Sequence, residues 1–159
     1  MLLLARKELC DLLETLDRFG LQLSIGAQTA LRAAAALGML GIAIRARRSA
    51  PESLDRTILA LGLLFLTLFN PRSESVSYVA LTPAFGLGAA AMLIRDARSP
   101  LGWGLLAAGV ALGVPWNRTI DSWLKPALAL AYLLLIASSA IRGRGAPWFD
   151  RRATPGAAA

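Results

Sequence analysis

Two long apolar runs, Leu54 to Phe69 and Val76 to Ile94, are separated by only six polar residues, Asn70-Pro71-Arg72-Ser73-Glu74-Ser75. A backbone inside hydrocarbon must satisfy its own hydrogen bonds, so apolar runs joined this tightly predict two antiparallel membrane helices and a polar hairpin. Further runs from about Leu21 to Ile44, Leu101 to Val114 and Leu124 to Ile141 extend the pattern to five spans. Hydrophobic residues make up 56% of the chain and charged residues 17%, with the charges gathered between the runs. The fold class that follows is an all-α, polytopic membrane helix bundle. The second and fourth runs are shorter than the roughly 20 residues of a full crossing, so they are expected to recruit flanking residues or to meet a thinner bilayer.

The formal charge of +7 would suit nucleic acid, but the basic residues flank the apolar runs and do not line one polar face interleaved with aromatics. No nucleic-acid partner is expected. A single cysteine, Cys10, has no internal disulfide partner, and the absence of His removes the usual zinc, haem and catalytic imidazole arrangements. Neither a metal nor a cofactor is expected, and any chemistry falls to carboxylates, Arg or hydroxyls. The amino terminus does not read as a secretory signal, because Leu2 to Ala5 is too short an apolar run before Arg6-Lys7-Glu8.

Residues 1–20 read as an amphipathic interfacial or packing helix. Leu2, Ala5, Leu9, Leu12, Leu16 and Phe19 recur at spacings of three and four, opposite Arg6, Lys7, Glu8, Asp11, Glu14, Asp17 and Arg18, and Gly20 ends the pattern. The first span then carries Ser24, Gln28 and Arg32 at intervals of four, which puts them on one face. A charge at that depth costs on the order of 2.5 to 3.5 kcal/mol on insertion scales, so Arg32 faces a wet interior or anionic partner, or snorkels to the near interface. Residues 45–53 read as a basic loop, residues 115–122 as a second polar connection, and residues 142–159 as a disordered basic tail.

Orientation follows from the cations. Arg45, Arg47, Arg48, Arg56, Arg95, Arg98, Arg142, Arg144, Arg151 and Arg152 fall on one side of the predicted bundle. Arg6, Lys7, Arg18, Arg72, Arg118 and Lys125 fall on the other. The positive-inside rule puts the carboxy terminus in the cytoplasm, and the amino terminus and the 70–75 hairpin outside a plasma membrane. Trp103, Trp116 and Trp123 lie at predicted span ends, where interfacial indoles belong. The small-residue pair Gly109 and Gly113, with Gly86, Gly88 and Ala89 to Ala91 in the third run, predicts close helix packing within the chain.

The hairpin is the candidate site. Pro71 ends the second span, Arg72 can fork onto a phosphate, and Glu74 can orient that Arg or accept from a hydroxyl. A local Arg72 to Glu74 pair that only tightens the turn is the structural alternative, worth about 0 to 1 kcal/mol. Glu74 and Asp121 are the carboxylates expected outside near span ends.

The stretch Leu68-Phe69-Asn70-Pro71-Arg72-Ser73-Glu74-Ser75-Val76-Ser77-Tyr78-Val79, continued by Leu81-Thr82-Pro83-Ala84, resembles a turn and helix of one family. These are the polytopic C-fold glycosyltransferases of family 87, which include polyprenol-phosphate-mannose-dependent mannosyltransferases, and whose members carry an Asn-Pro-Arg-(Ser/Thr)-Glu turn followed by Tyr-Val-x-Leu-x-Pro. Gln28-Thr29, Leu31-Arg32 and Ala33 to Ala36 are similar to the span before that turn, so the likeness covers roughly residues 20 to 95. The resemblance implies transfer of a hexose, mannose in the family, from a polyprenyl phosphate donor to an extracytoplasmic glycan or glycolipid acceptor. It implies that Arg72 and Arg32 bind the carrier phosphate and that Glu74, Tyr78, Asn70 and Gln28 line the sugar or headgroup site.

The family's catalytic acid lies in a first extracytoplasmic loop near the amino terminus of a chain more than twice this length. No residue here takes that role, so the catalytic group is unassigned. The chain is then expected to correspond to a carboxy-terminal half, with other membrane helices of a longer protein as partners beside the lipid bilayer. The competing expectation is a small non-catalytic, multi-pass accessory or structural membrane protein. A channel is disfavoured because Arg32 is nearly alone as an ionisable residue within the spans.

Overall fold

The computed structural model describes residues 12–49, 51, 54–69 and 75–142, without the side chains of residues 14, 18, 75, 76, 118 and 119. The hairpin residues Asn70, Pro71, Arg72, Ser73 and Glu74, the first eleven residues and the tail beyond 142 lie outside the described residues. Within the described residues every regular element is helical: α1 (Leu12–Arg18), α2 (Ile25–Ser49), α3 (Leu54–Phe69), a 3-10 segment (Ser75–Leu81), α4 (Thr82–Arg95), α5 (Pro100–Gly113) and α6 (Arg118–Ile141).

Local chemistry explains most of the boundaries. Gly20, at φ +85°, closes α1 by donating to the Asp17 carbonyl at 2.9 Å, while the Leu21 N–H reaches back to the Leu16 carbonyl at 3.0 Å. Such a paired return satisfies orphan carbonyls and needs a residue tolerant of the left-handed conformation. Ser99 caps α5 by accepting from Gly102 N at 3.2 Å ahead of Pro100, and Asn117 caps α6 by accepting from Ile120 N at 3.0 Å. Pro83, at the start of α4, has no N–H to give to Val79 and crowds the preceding turn, which accounts for a 3-10 segment where a continuous span was expected from Val76.

Two polar connections expected from the sequence are largely helix. Residues 45–49 form the last turn of α2, because Arg and Ala are good helix formers and cations suit a helix carboxy terminus. The 115–122 stretch enters α6 at Arg118, so Asp121 lies in the first turn of that helix, buried, and not in an external loop.

Three cross-links fix how the helices lie. Arg32, early in α2, donates through Nε to the Phe69 carbonyl at the end of α3 (3.0 Å). Arg45, late in α2, donates to the Ala140 and Ile141 carbonyls at the end of α6 (2.9 Å each). Each guanidinium thus reaches carbonyls in the last turn of a neighbouring helix, where cationic donors suit the helix end. Thr82 at the start of α4 lies beside Gly109 and Gly113 in the last turns of α5, and Gly102 lies beside Leu93, so this pair is antiparallel.

Counting at about 1.5 Å per residue from the end that carries Arg45, the Arg32–Phe69 level, the start of α4, the end of α5 and the Lys125–Pro126 region of α6 all fall near 20 Å. Below that level the backbone is regular α-helix. Above it lie the 3-10 segment, the extended residues 114–117, α1 and the amino-terminal turns of α2 and α6. The basic end gathers Arg45, Arg47, Arg48, Arg56, Arg95, Arg98 and Arg142.

The core threads through this slab. α3 buries Thr57, Ala60, Leu61, Leu64, Thr67 and Leu68 on one face, and Thr67 Oγ1 donates to its own helix at Leu63 O (2.9 Å), which satisfies its buried hydroxyl. Phe85 of α4 and Tyr132 of α6 pack with ring centroids 4.3 Å apart, and the Tyr132 hydroxyl donates to Ala84 O at 3.3 Å. A Cβ on Gly102 would stand 3.0 Å from Leu93 and one on Gly109 3.1 Å from Phe85, so these small residues serve packing of α5 on α4 within the chain.

Among the described residues three helical stretches, Ile25–Ser49, Ser77–Arg95 and Ile120–Ile141, are long and apolar enough to cross a membrane, against the five expected. α3 and α5, with 16 and 14 residues, extend only about 24 and 21 Å against a hydrocarbon core of about 30 Å. Only 6% of the most apolar window of α2 is buried, and Leu37, Leu59, Leu66, Leu87, Ile94 and Leu134 are all exposed on the outer surface. An apolar surface spread over every long helix is compatible with a multi-pass membrane protein. Trp103 at one end and Trp116 and Trp123 at the other are exposed beside helix ends, with the Trp103 and Trp116 indole N–H groups donating to Ala97 O (2.9 Å) and Ala111 O (2.8 Å).

Candidate functional site

The end of the bundle opposite the arginines concentrates the polar groups. Arg32 is half-buried there, with Nε on the Phe69 carbonyl, the last residue before the 70–75 segment. This helix-to-helix bond was not among the sequence expectations, which put Arg32 against an anion, a wet interior or the interface. Gln28, one turn earlier, donates through Nε2 to Leu23 O at 3.1 Å, and Ser24 Oγ accepts from Ala27 N at 3.3 Å. The two therefore brace the start of α2, while Arg32 reaches a neighbour.

Tyr78 is fully buried in the 3-10 segment, which packs against α3, α4, α5 and α6 together. Its ring belongs to the core, so a ligand meets it only from within the bundle. Asn70, Arg72 and Glu74 lie outside the described residues, but their attachment points are fixed: Phe69 lies under Arg32, and residues 75–81 sit over the centre of the bundle. The structure thus brings Arg32 to Phe69, the last described residue before this segment, and buries Tyr78 soon after it.

A second polar centre escaped the sequence reading. Lys125 of α6 has its ammonium 3.1 Å from Asp121 Oδ1, with side chains 3% and 13% exposed. The contact is an ion pair by proximity and not a well-aligned hydrogen bond. Asp121 also sits in the first turn of α6, where the helix dipole favours a negative charge. The i, i+4 order, acid before base, is the favoured one and was the signal available in the sequence.

Pro126 follows immediately. With no N–H, it leaves the Ser122 carbonyl without its helical donor, and Thr15 Oγ1 of α1 supplies one at 2.8 Å. This bond explains why α1 docks here. Replacing Thr15 with Val is expected to cost about 1 kcal/mol and to speed amide exchange across Leu12–Arg18, which hydrogen-exchange mass spectrometry would register. Unchanged exchange would mean that packing alone holds α1.

Chemically, this end sets the half-buried Arg32 guanidinium close to irregular backbone, while the Lys125 ammonium is buried against Asp121. Among the described residues no group of three or more His, Cys, Asp or Glu is arranged to hold a metal ion. Comparison with protein-family models, with curated proteins and with solved structures finds no match.

Proposed function

We propose that this chain is the carboxy-terminal membrane portion of a glycosyltransferase and that it binds a polyprenyl phosphate sugar donor at the end bearing Arg32 and the 70–75 hairpin. The sugar, mannose in the family the sequence resembles, passes to an extracytoplasmic glycan or glycolipid acceptor. The new bond joins the acceptor oxygen to the anomeric carbon, the bond from that carbon to the carrier phosphate oxygen breaks, and the acceptor proton goes to a general base. This chain is assigned the donor site and not the base.

The observation that carries the reading is the Arg32 to Phe69 bond. It joins the two stretches of the resemblance, 28–36 and 68–84, through residues that are described, since Arg32 meets Phe69, three positions before Arg72 in the sequence. Two arginines suit a phosphodiester because a site of low dielectric strengthens the pairing. In the topology proposed, five helices cross a locally thin bilayer, with the hairpin and amino terminus outside and the tail in the cytoplasm of a plasma-membrane protein. The spacing of thirteen residues between Arg32 and Arg45, about 20 Å, supports this, since it matches the lengths of α3 and α5.

The test is co-purification of polyprenyl phosphate with the full chain. Arg72→Ala is expected to lower retained carrier at least about tenfold, the value of a lost charge-assisted contact. Retention equal to the parent protein would remove the assignment. The second reading is a non-catalytic membrane subunit. What favours it is that Arg32 and Arg45 both already serve as caps on helix ends. A stable complex with another membrane protein, carrying no lipid phosphate, would decide for that reading.

A further inference from the structure

At the opposite end of the bundle, Gly41, Ile44, Arg45, Arg48 and Ser49 line an open cleft of about 330 Å³ along the last two turns of α2. We propose that this cleft binds an anionic glycerophospholipid of the cytoplasmic leaflet, with its phosphate at Arg48 and an acyl chain along α2. The proposal rests on the membrane reading of α2 and is independent of the carrier site, which lies about 20 Å away at the other end.

The lining divides by chemistry. Arg45 is held rigidly, with Nε and Nη2 on the last carbonyls of α6, so it forms a fixed cationic wall whose charge is partly balanced by that helix terminus. Ser49 Oγ donates to Arg45 O at 3.0 Å and closes the floor. Arg48 is exposed, and among the described residues no carboxylate pairs with it. Of the acidic side chains described at this end, Asp96 is engaged with Arg98 N, and Asp55 stands at the start of α3; neither lines the cleft. A planar guanidinium with its donors available is the group that recognises a phosphate by two parallel bonds.

The remaining lining identifies the source of that phosphate. Gly41 opens the cleft by having no side chain, and Ile44 leads along one face to Leu40 and Leu37, all exposed at 48, 56 and 69%. Steps of four and three residues keep these side chains in line, giving an apolar track that descends from the cationic rim into the slab. A free phosphate would use the rim and ignore the track, whereas a lipid uses both.

The experiment incubates the detergent-purified full chain with equal amounts of phosphatidylglycerol and phosphatidylcholine and counts bound lipids by native mass spectrometry. Phosphatidylglycerol should be retained preferentially. Arg48→Ala, at an exposed position, should lower its retention about fivefold, the value of roughly one interfacial cation. Arg98→Ala removes the same charge from the same end but on the α4–α5 turn, and should leave retention within a factor of about two. Circular dichroism checks that both variants fold. Equal losses in the two variants would mean a diffuse surface potential and would overturn the site, as would equal retention of the two lipids. Displacement by millimolar inorganic phosphate would also overturn it, since the site would then belong to a soluble anion. Polyprenyl phosphate retention should be unaffected by Arg48→Ala, so failure here and failure of the carrier site are separate results.

Discussion

Replacing Asp121 with Ala is expected to cost about 3 to 5 kcal/mol, the range found when one partner of a buried ion pair is removed and the other charge stays inside. The Lys125 side chain is only 3% exposed and its ammonium lies 3.1 Å from Asp121 Oδ1, so the variant leaves a cation in the bundle without its nearest carboxylate. Lys125→Met should cost less, because Asp121 is more exposed and retains the favourable helix amino terminus. The double variant should recover much of the loss, since an apolar pair of similar volume is often as stable as a buried ion pair. Thermal unfolding in detergent, read by circular dichroism for all four proteins, gives the cycle. A loss below about 1 kcal/mol for Asp121→Ala would show that the ammonium is satisfied by its other neighbours or by water.

That pair marks where sequence reasoning succeeded and where it stopped. The helix α3 coincides with the apolar run Leu54 to Phe69, Gly20 follows α1, and α5 starts at Pro100, one residue before the run from Leu101, because each boundary depends on residues within a few positions of it. The sequence places Asp121 in the polar stretch 115–122 between two apolar runs, which reads as an external connection. In the fold, Asn117 opens a helix instead, and the carbonyl freed by Pro126 is satisfied from α1, more than a hundred residues away in sequence. Such a compensation has no local signature.

The arginines of α2 teach the same lesson. Charge placed Arg45, Arg47 and Arg48 at the membrane edge but could not say that the helix runs on through them, nor that Arg45 reaches the α6 carbonyls. Arg32 was recognised as a charge needing an explanation, and the partner found is a main-chain carbonyl of another helix, a group that every residue carries. Side-chain identity is therefore silent about it. The hairpin, which the sequence singled out most strongly, has its anchors fixed at Phe69 and Ser75, while its own residues lie outside those described.

Substituting Gly109 with Leu should separate α4 from α5 and cost about 1 to 3 kcal/mol as an overpacking change. A Cβ at Gly109 would stand 3.1 Å from Phe85 Cβ and 3.8 Å from the Thr82 carbonyl oxygen, so the clash is with atoms close to a helix backbone. Phe85 has little room to yield, because its ring is packed against Tyr132 at 4.3 Å. Gly104 on the same helix has nothing within 4 Å of its Cβ position, so Gly104→Leu should be neutral or slightly stabilising through helix propensity. Equal effects of the two substitutions on thermal stability would mean that α5 does not pack through Gly109. Because Thr82 sits at this contact and begins the helix that follows the 3-10 segment, Gly109→Leu should also disturb the seat of the hairpin. Carrier retention should therefore fall in Gly109→Leu and persist in Gly104→Leu, tying the packing of two helices to the binding end that they support.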